Sequence, residues 1–218
     1  MIMADKIYYT IEKIKKSPQG MTFFISSSGG THFEMLVSEE QYDRFDIEEG
    51  EIIDDECFLK IREEMLFDNA RRHAFDILSF GENNKRSLVS KLHRKGFSYE
   101  LCEKIALYME NRGYIDEKKQ IGLLCDEYIR KKFGKIKIIG ELVAKGYRRE
   151  DVSEFVQNEL GDVDFSQNCA YIIMHKYFPL PNTADGVRRM MGSLMRYGYT
   201  VSDIKEGIKL CAEGDVND

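Results

Sequence analysis

The sequence predicts a mainly α protein: an elongated, curved array of three tandem three-helix repeats preceded by a small β-rich N-terminal module. Three observations carry this. A short motif ending in glycine and an aromatic residue recurs three times, its glycines 50 and then 52 residues apart. Only 3 prolines interrupt 218 residues, which favours long helices. Alternating β-rich runs with turn residues between them are confined to the first quarter of the chain.

Composition supports one folded polypeptide. Apolar residues make up 43% and charged residues 32%, with 32 Lys+Arg against 38 Asp+Glu, net −6. Chain-wide disorder would need fewer apolar residues and a stronger net charge. No apolar run reaches the ~18–20 residues of a membrane span. Met1–Thr10 lacks the basic-then-apolar order of a secretory leader, so a soluble cytoplasmic protein is expected. Cys57, Cys102, Cys125, Cys169 and Cys211 are far apart and form no CxxC pair, which reads as buried reduced thiols. His32, His73, His93 and His175 are isolated, so no metal site and no cofactor is expected.

In the first segment, Ile7, Tyr9 and Ile11 alternate with polar positions. Met21–Ser27 and Phe33–Val37 are further short β-rich runs, separated by Ser17-Pro18-Gln19-Gly20 and Ser28-Gly29-Gly30. Ser38 with Gln41 three residues later has the form of a capping box and predicts a short helix through Phe45. The module ends near Asp54. The acidic run Asp54-Asp55-Glu56 suits the positive end of a helix better than it suits a divalent cation.

Beyond it the pattern turns helical. Leu66, Ala70, Ala74, Ile77 and Leu78 form the stripe of an amphipathic helix, and Leu101–Met109 repeats that character. The motif itself is Leu92-His93-Arg94-Lys95-Gly96-Phe97, then Leu142-Val143-Ala144-Lys145-Gly146-Tyr147, then Leu194-Met195-Arg196-Tyr197-Gly198-Tyr199. Cys102, Val152 and Ile204 stand six residues past the glycines; Ala106, Val156 and Ile208 stand ten past them. Each glycine can end a helix with φ > 0, and the aromatic after it can fold onto the last turn. A new helix follows at Ser98, near Arg149-Glu150, and at Thr200 or Ser202; the middle copy lacks a good N-cap. A further helix precedes each motif, over Leu66–Ser79, Lys118–Lys132 and Ser166–Tyr177. Gly81, Gly134 and Pro179-Leu180-Pro181 separate it from the next. The expected division is a module over 1–60 and repeats over 61–115, 116–162 and 163–218.

Charge is unevenly placed: net −8 over residues 1–64, +4 over 65–161 and −2 over 162–218. An anionic polymer would meet the middle first. Candidate contacts for nucleic-acid phosphates or acidic protein groups are Arg71, Arg72, Lys91, Arg94, Lys95, Arg130, Lys131, Lys132, Lys135, Lys137, Arg148, Arg149, Arg188 and Arg189. The same residues also serve as ordinary solvated helix surface near helix C-termini. There is no GxxxxGK[ST], GxGxxG or GxSxG, so no enzyme is expected.

The helix over Ala70–Leu78, the stretch Ser87–Phe97 (SLVSKLHRKGF) and the junction Asn111-Arg112-Gly113-Tyr114-Ile115-Asp116-Glu117 together resemble the RecX family of bacterial recombination regulators. Tyr128, Gly134, Leu142 and Lys145-Gly146-Tyr147 continue in family order, and the match covers about residues 65–212. The resemblance implies a curved array of three-helix units that lies in the groove of the RecA–DNA filament. There it would limit RecA's ATP hydrolysis, strand exchange and co-protease role by occupancy, with no catalytic residues. It also implies RecA as partner, weak affinity for single- or double-stranded DNA, no membrane and a monomer. A second reading is a helical DNA-binding protein acting without RecA, with Ser98–Met109 or Glu150–Leu160 as recognition helix. The acidic residues on those helices, Glu100, Glu103, Glu150, Asp151, Glu154 and Glu159, disfavour it.

Overall fold

The computed structural model describes residues 6–214. The first five residues of the stretch read for a leader, and the last four of the third repeat, lie outside the described residues. The described chain forms four strands and ten helices, grouped into two compact units: residues 1–81 with 88–108, and residues 82–87 with 109–218.

In the first unit, β1 (Tyr8–Ser17), β2 (Gly20–Ser27), β3 (His32–Val37) and β4 (Ile52–Asp54) make an antiparallel sheet of order β3-β2-β1-β4. The β1–β2 register shifts between Ile11 and Lys13, a one-residue bulge. Period-two alternation drives Tyr9, Ile11, Phe23, Ile25, Met35 and Val37 onto one face. The helix α1 (Glu39–Phe45) opens on the predicted capping box: Ser38 Oγ accepts the Gln41 N–H at 3.1 Å, and Gln41 Oε1 accepts the Ser38 N–H at 2.9 Å.

The next helix, α2, runs over Asp55–Ser79 and is 25 residues long. It begins eleven residues before the apolar stripe that announces it in the sequence. Its first turns belong to the module: Asp54 caps it by accepting the Cys57 N–H at 2.9 Å, and Phe58 and Ile61 enter the sheet's core. Tyr9 stacks flat on Phe58, ring centroids 3.8 Å apart. Further along, Phe67 meets Tyr108 edge to face at 5.7 Å. Tyr108 lies on α4 (Tyr99–Asn111), and α3 (Lys85–Arg94) precedes it. Leu88, Leu92, Cys102, Ile105 and Ala106 are buried, at the spacing the repeat requires.

In the second unit the trio pattern continues as α5 (Glu117–Arg130), α6 (Lys135–Ala144) and α7 (Arg149–Glu159), then α8 (Phe165–Tyr177), α9 (Ala184–Arg196) and α10 (Val201–Glu213). One apolar core joins them, from Ile121 to Cys211. Within it, α8 and α10 pack closely through small residues: a Cβ on Gly207 would stand 3.1 Å from the Ala170 N and 3.2 Å from the Cys169 Cβ.

The repeated glycines end α3, α6 and α9 in the same left-handed conformation, with φ of +98°, +105° and +93° at Gly96, Gly146 and Gly198. In the last two, the glycine N–H returns to Val143 O and Met195 O at 3.0 Å, and the next tyrosine N–H to Leu142 O and Leu194 O at 3.3 Å. That is the double hydrogen bond of a Schellman C-cap. Thr200 caps α10 in a box with Asp203, whereas Arg148 before α7 makes no side-chain cap, as the weak middle copy implied.

Cys102, Cys125, Cys169 and Cys211 are buried and Cys57 half-buried, all as thiols. Burial, with Asp126 nearby, pushes Cys125 up to about 11; burial, with Asp203 and Cys211 nearby, pushes Cys169 up to about 12. A raised thiol pKa keeps the unreactive SH form at neutral pH. An aromatic disulfide reagent at pH 8 should therefore titrate at most one thiol quickly, at Cys57, and five once the chain is unfolded.

Candidate functional site

Of the fourteen cations proposed from the sequence, five lie in the first unit and nine in the second. In the first unit, Arg71 pairs with Asp68 at 2.9 Å on α2, Arg72 beside it is exposed, and Lys91, Arg94 and Lys95 occupy the end of α3. In the second unit the run at 130–132 splits three ways. Arg130 is exposed, Lys131 pairs with Glu127, and Lys132 turns its Nζ over the Tyr171 ring at 4.5 Å. Arg148 lies within 4.0 Å of both Glu150 and Asp151. It lines a cleft of about 660 Å³ whose other ionic residues are Lys85 and Lys118 against Glu110, Asp116, Glu117, Asp151, Glu154 and Glu159. Carboxylates dominate there, and Arg148 adds no net attraction for an anion. Lys135 and Arg149 are exposed at the starts of α6 and α7.

What the fold does assemble is a basic–aromatic face on α6, α8 and α9. Lys137 Nζ sits 3.8 Å from the Phe133 ring centroid and 5.4 Å from that of Tyr197. Lys176, on the last turn of α8, lies 4.5 Å over the same Tyr197 ring and donates to its hydroxyl. Tyr171 stacks on His175 at 4.0 Å. Beside them an open cavity of about 780 Å³ is lined by Lys176, Arg188, Arg189 and Arg196 with Phe178, and by no carboxylate. Arg188 reaches Asp185 only at 3.9 Å, and Phe178 is 59% exposed. Cations held over ring faces, with exposed guanidinium groups beside them, suit a chain of phosphates carrying stackable bases.

Two interlocking turns hold this face. The Gly134 N–H donates to Tyr197 O at 2.7 Å, the Ile136 N–H to Gly198 O at 3.1 Å, and the Tyr199 hydroxyl to Lys132 O at 2.5 Å. The start of α6, with Lys137, is thereby pinned to the end of α9, with Arg196 and Tyr197.

No protein-family model matches the chain. The chain is 29% identical over 147 residues to the regulatory protein RecX of Chlorobium phaeobacteroides strain BS1, covering 64% of this chain and 93% of the relative. It is 23% identical over 152 residues to that of Finegoldia magna strain ATCC 29328, covering 69% and 73%. A crystal structure of a regulatory protein RecX matches the fold with a TM-score of 0.63 at 18% identity, over 91% of this chain and 99% of its own. The chain is therefore similar to RecX regulatory proteins in sequence and in fold. The RecX from Lactobacillus salivarius shares the fold over 68% of this chain and 97% of its own, with a TM-score of 0.54 at 14% identity. The RecX likeness read from the motifs thus agrees with both sequence and fold. Among the described residues no group of His, Cys, Asp and Glu could hold a metal, and no helix is long and apolar enough to cross a membrane.

Sequence reading named Lys132, Lys137, Arg188 and Arg189 for this face but missed Lys176, Tyr171 and Tyr197. The signal lay in the repeat: the first two copies carry Lys95 and Lys145 before the glycine, and the third carries Tyr197. Lys176 holds the Tyr197 phenol below its usual pKa, chiefly through the hydrogen bond, with Lys176 and Lys137 charge adding to it against some desolvation. A positive neighbour favours the phenolate, so Tyr197 ionises at lower pH. Ultraviolet titration should show one tyrosine ionising ahead of the rest, and Lys176→Met should return it toward the ordinary value near ~10.

Proposed function

We propose that this chain is a non-enzymatic regulator of the RecA recombinase that binds the RecA–DNA filament and restrains it by occupancy. The observation that supports this most is the basic–aromatic face around Tyr197, whose cations and ring faces suit a chain of phosphates carrying stackable bases. The division into repeats at 61–115, 116–162 and 163–218 fits a partner that is itself repetitive, since tandem units present their surface serially. On this reading the chain lies in the filament groove, its Lys137, Lys176, Arg188, Arg189 and Arg196 near the nucleoprotein phosphates. It limits ATP hydrolysis, strand exchange and co-protease activity. It acts in the cytoplasm, is a monomer in dilute solution, and has weak affinity of its own for DNA. The test is RecA's single-strand-DNA-dependent ATP hydrolysis: added protein should slow it at stoichiometric amounts or below. An unchanged rate at large excess, together with tight binding to one duplex sequence, would replace this reading with a RecA-independent DNA-binding protein.

A further inference from the structure

The loop from α8 to α9 holds an aromatic ring in solvent at the edge of the carboxylate-free cavity. Phe178 is the C-cap of α8 and is 59% exposed. Its neighbours explain why the ring stays there. Pro179 and Pro181 restrict the backbone on either side of Leu180, which packs against the core of the second unit. Pro181 is seated on the first turn of α9: a Cβ on Gly186 would stand 2.8 Å from the Pro181 Cβ. With Leu180 turned inward and Pro181 held, Phe178 is presented outward on a short, restrained segment.

The ring borders the cavity of about 780 Å³ together with Lys176, Arg188, Arg189 and Arg196. The side of the cavity along α9 is built of small residues, Gly186, Gly192 and Ser193, which leave it room. A Cβ on Gly192 would stand 3.7 Å from Arg196 Nη1, so the guanidinium group lies close over that glycine. Arg188 and Arg196 are eight residues apart on one helix, about 12 Å along its axis. A row of cations that long follows a chain of phosphates better than it holds one compact anion. Phe133, in the same unit, shows what a ring beside a lysine accepts here. Lys137 Nζ stands 3.8 Å from its centroid, and Tyr128 stacks on it with planes 18° from parallel, centroids 5.7 Å apart. Phe178 has cations around its cavity but, among the described residues, no ring against it.

We propose that Phe178 stacks an unpaired base of single-stranded DNA, with the strand's phosphates on Lys176, Arg188, Arg189 and Arg196, and that this ring makes the face prefer single strands to duplex. The inference rests on reading this face as a nucleic-acid surface and adds what selects the strand. Cations alone give the opposite preference, because a duplex carries more charge per unit length. The ring reverses it. A paired base has its faces covered by its neighbours in the duplex, whereas an unpaired base can leave its stack and lie on an aromatic side chain.

The test uses the full chain without RecA. The sequence contains no tryptophan, so Phe178→Trp places a single reporter at the ring. That variant should bind a thymine oligonucleotide as tightly as the parent, and its emission should fall by about half or more at saturation. Phe80→Trp, at another exposed ring, should keep its emission. Phe178→Leu retains apolar bulk and removes the π-face. It should bind the labelled single strand about fivefold or more weakly, and the same strand annealed to its complement within about twofold of the parent. Its salt slope should be unchanged, since no phosphate contact is lost. Undiminished single-strand affinity in Phe178→Leu, an equal loss for duplex, or unquenched emission of Phe178→Trp at saturation would overturn the proposal. If binding still weakens in that case when Lys176, Arg189 and Arg196 are reversed, the face remains a nucleic-acid surface without a stacking ring, and RecA's ATP hydrolysis tests the regulator reading separately.

Discussion

Gly198→Ala should destabilise the protein by about 3–5 kcal/mol. Two costs add. At φ +93° an L-residue is strained, and the new Cβ would stand 2.4 Å from both the Lys137 Cβ and the Lys137 N. The backbone of Lys137 cannot retreat without breaking the hydrogen bonds from Gly134 and Ile136 into the same turn. Gly134→Ala should be comparably damaging for the second reason alone, because its Cβ would lie 2.3 Å from the Gly198 carbonyl carbon and oxygen. Gly96→Ala is the control. It has the same sign of φ, at +98°, but meets nothing within 4 Å. Only backbone strain remains there, about 1–2 kcal/mol. Urea unfolding of the three variants, analysed by linear extrapolation, separates packing from backbone cost.

The second large effect is electrostatic. Reversing Lys176, Arg189 and Arg196 together to glutamate should weaken binding to single-stranded DNA, free or within a RecA filament, by at least tenfold near 0.1 M salt. It should also lower the salt slope by about 2, at roughly 0.7 for each single-strand phosphate that is no longer neutralised. All three side chains are exposed and line the carboxylate-free cavity beside Tyr197, so the fold should tolerate the change. Reversing Arg148 and Arg149 instead should alter affinity less than threefold. Arg148 already sits against Glu150 and Asp151 in the acidic cleft, and an anion gains little there. Comparing the two variants by fluorescence titration over a salt series measures whether placement or mere charge count governs binding.

The helical trios were legible because their signals are local. Apolar spacing, a glycine at each helix end and an N-capping Thr200 speak within a few residues, and each has its place in the structure. Three of the four strands were legible for the same reason, as was the capping box at Ser38, whereas β4, three residues long, carries no alternating pattern of its own. The full length of α2 was not. Its first eleven residues carry Phe58 and Ile61 toward the sheet while acidic residues crowd the same turns, which blurs the amphipathic period. The site was less legible still. A linear run such as Arg130-Lys131-Lys132 reads as one basic block, yet the helix end sends the three side chains to solvent, to Glu127 and to Tyr171. Conversely, Lys137, Lys176 and Tyr197 come from three helices or their ends and meet only because Gly134 and Gly198 let two turns interlock. That meeting has a trace in the sequence, the tyrosine replacing lysine in the third motif, but its meaning depends on which helix arrives against it.

The most direct test is to measure binding of the full chain to preassembled RecA filaments on single-stranded DNA, in parallel with binding to the same DNA without RecA and to RecA without DNA. The filament should bind at least tenfold more tightly than either component, that preference should fall when Lys176, Arg189 and Arg196 are reversed, and ATP hydrolysis should slow over the same concentration range. Equal affinity for naked DNA and for the filament, with hydrolysis unaffected at saturation, would contradict a regulator that acts by occupying the filament.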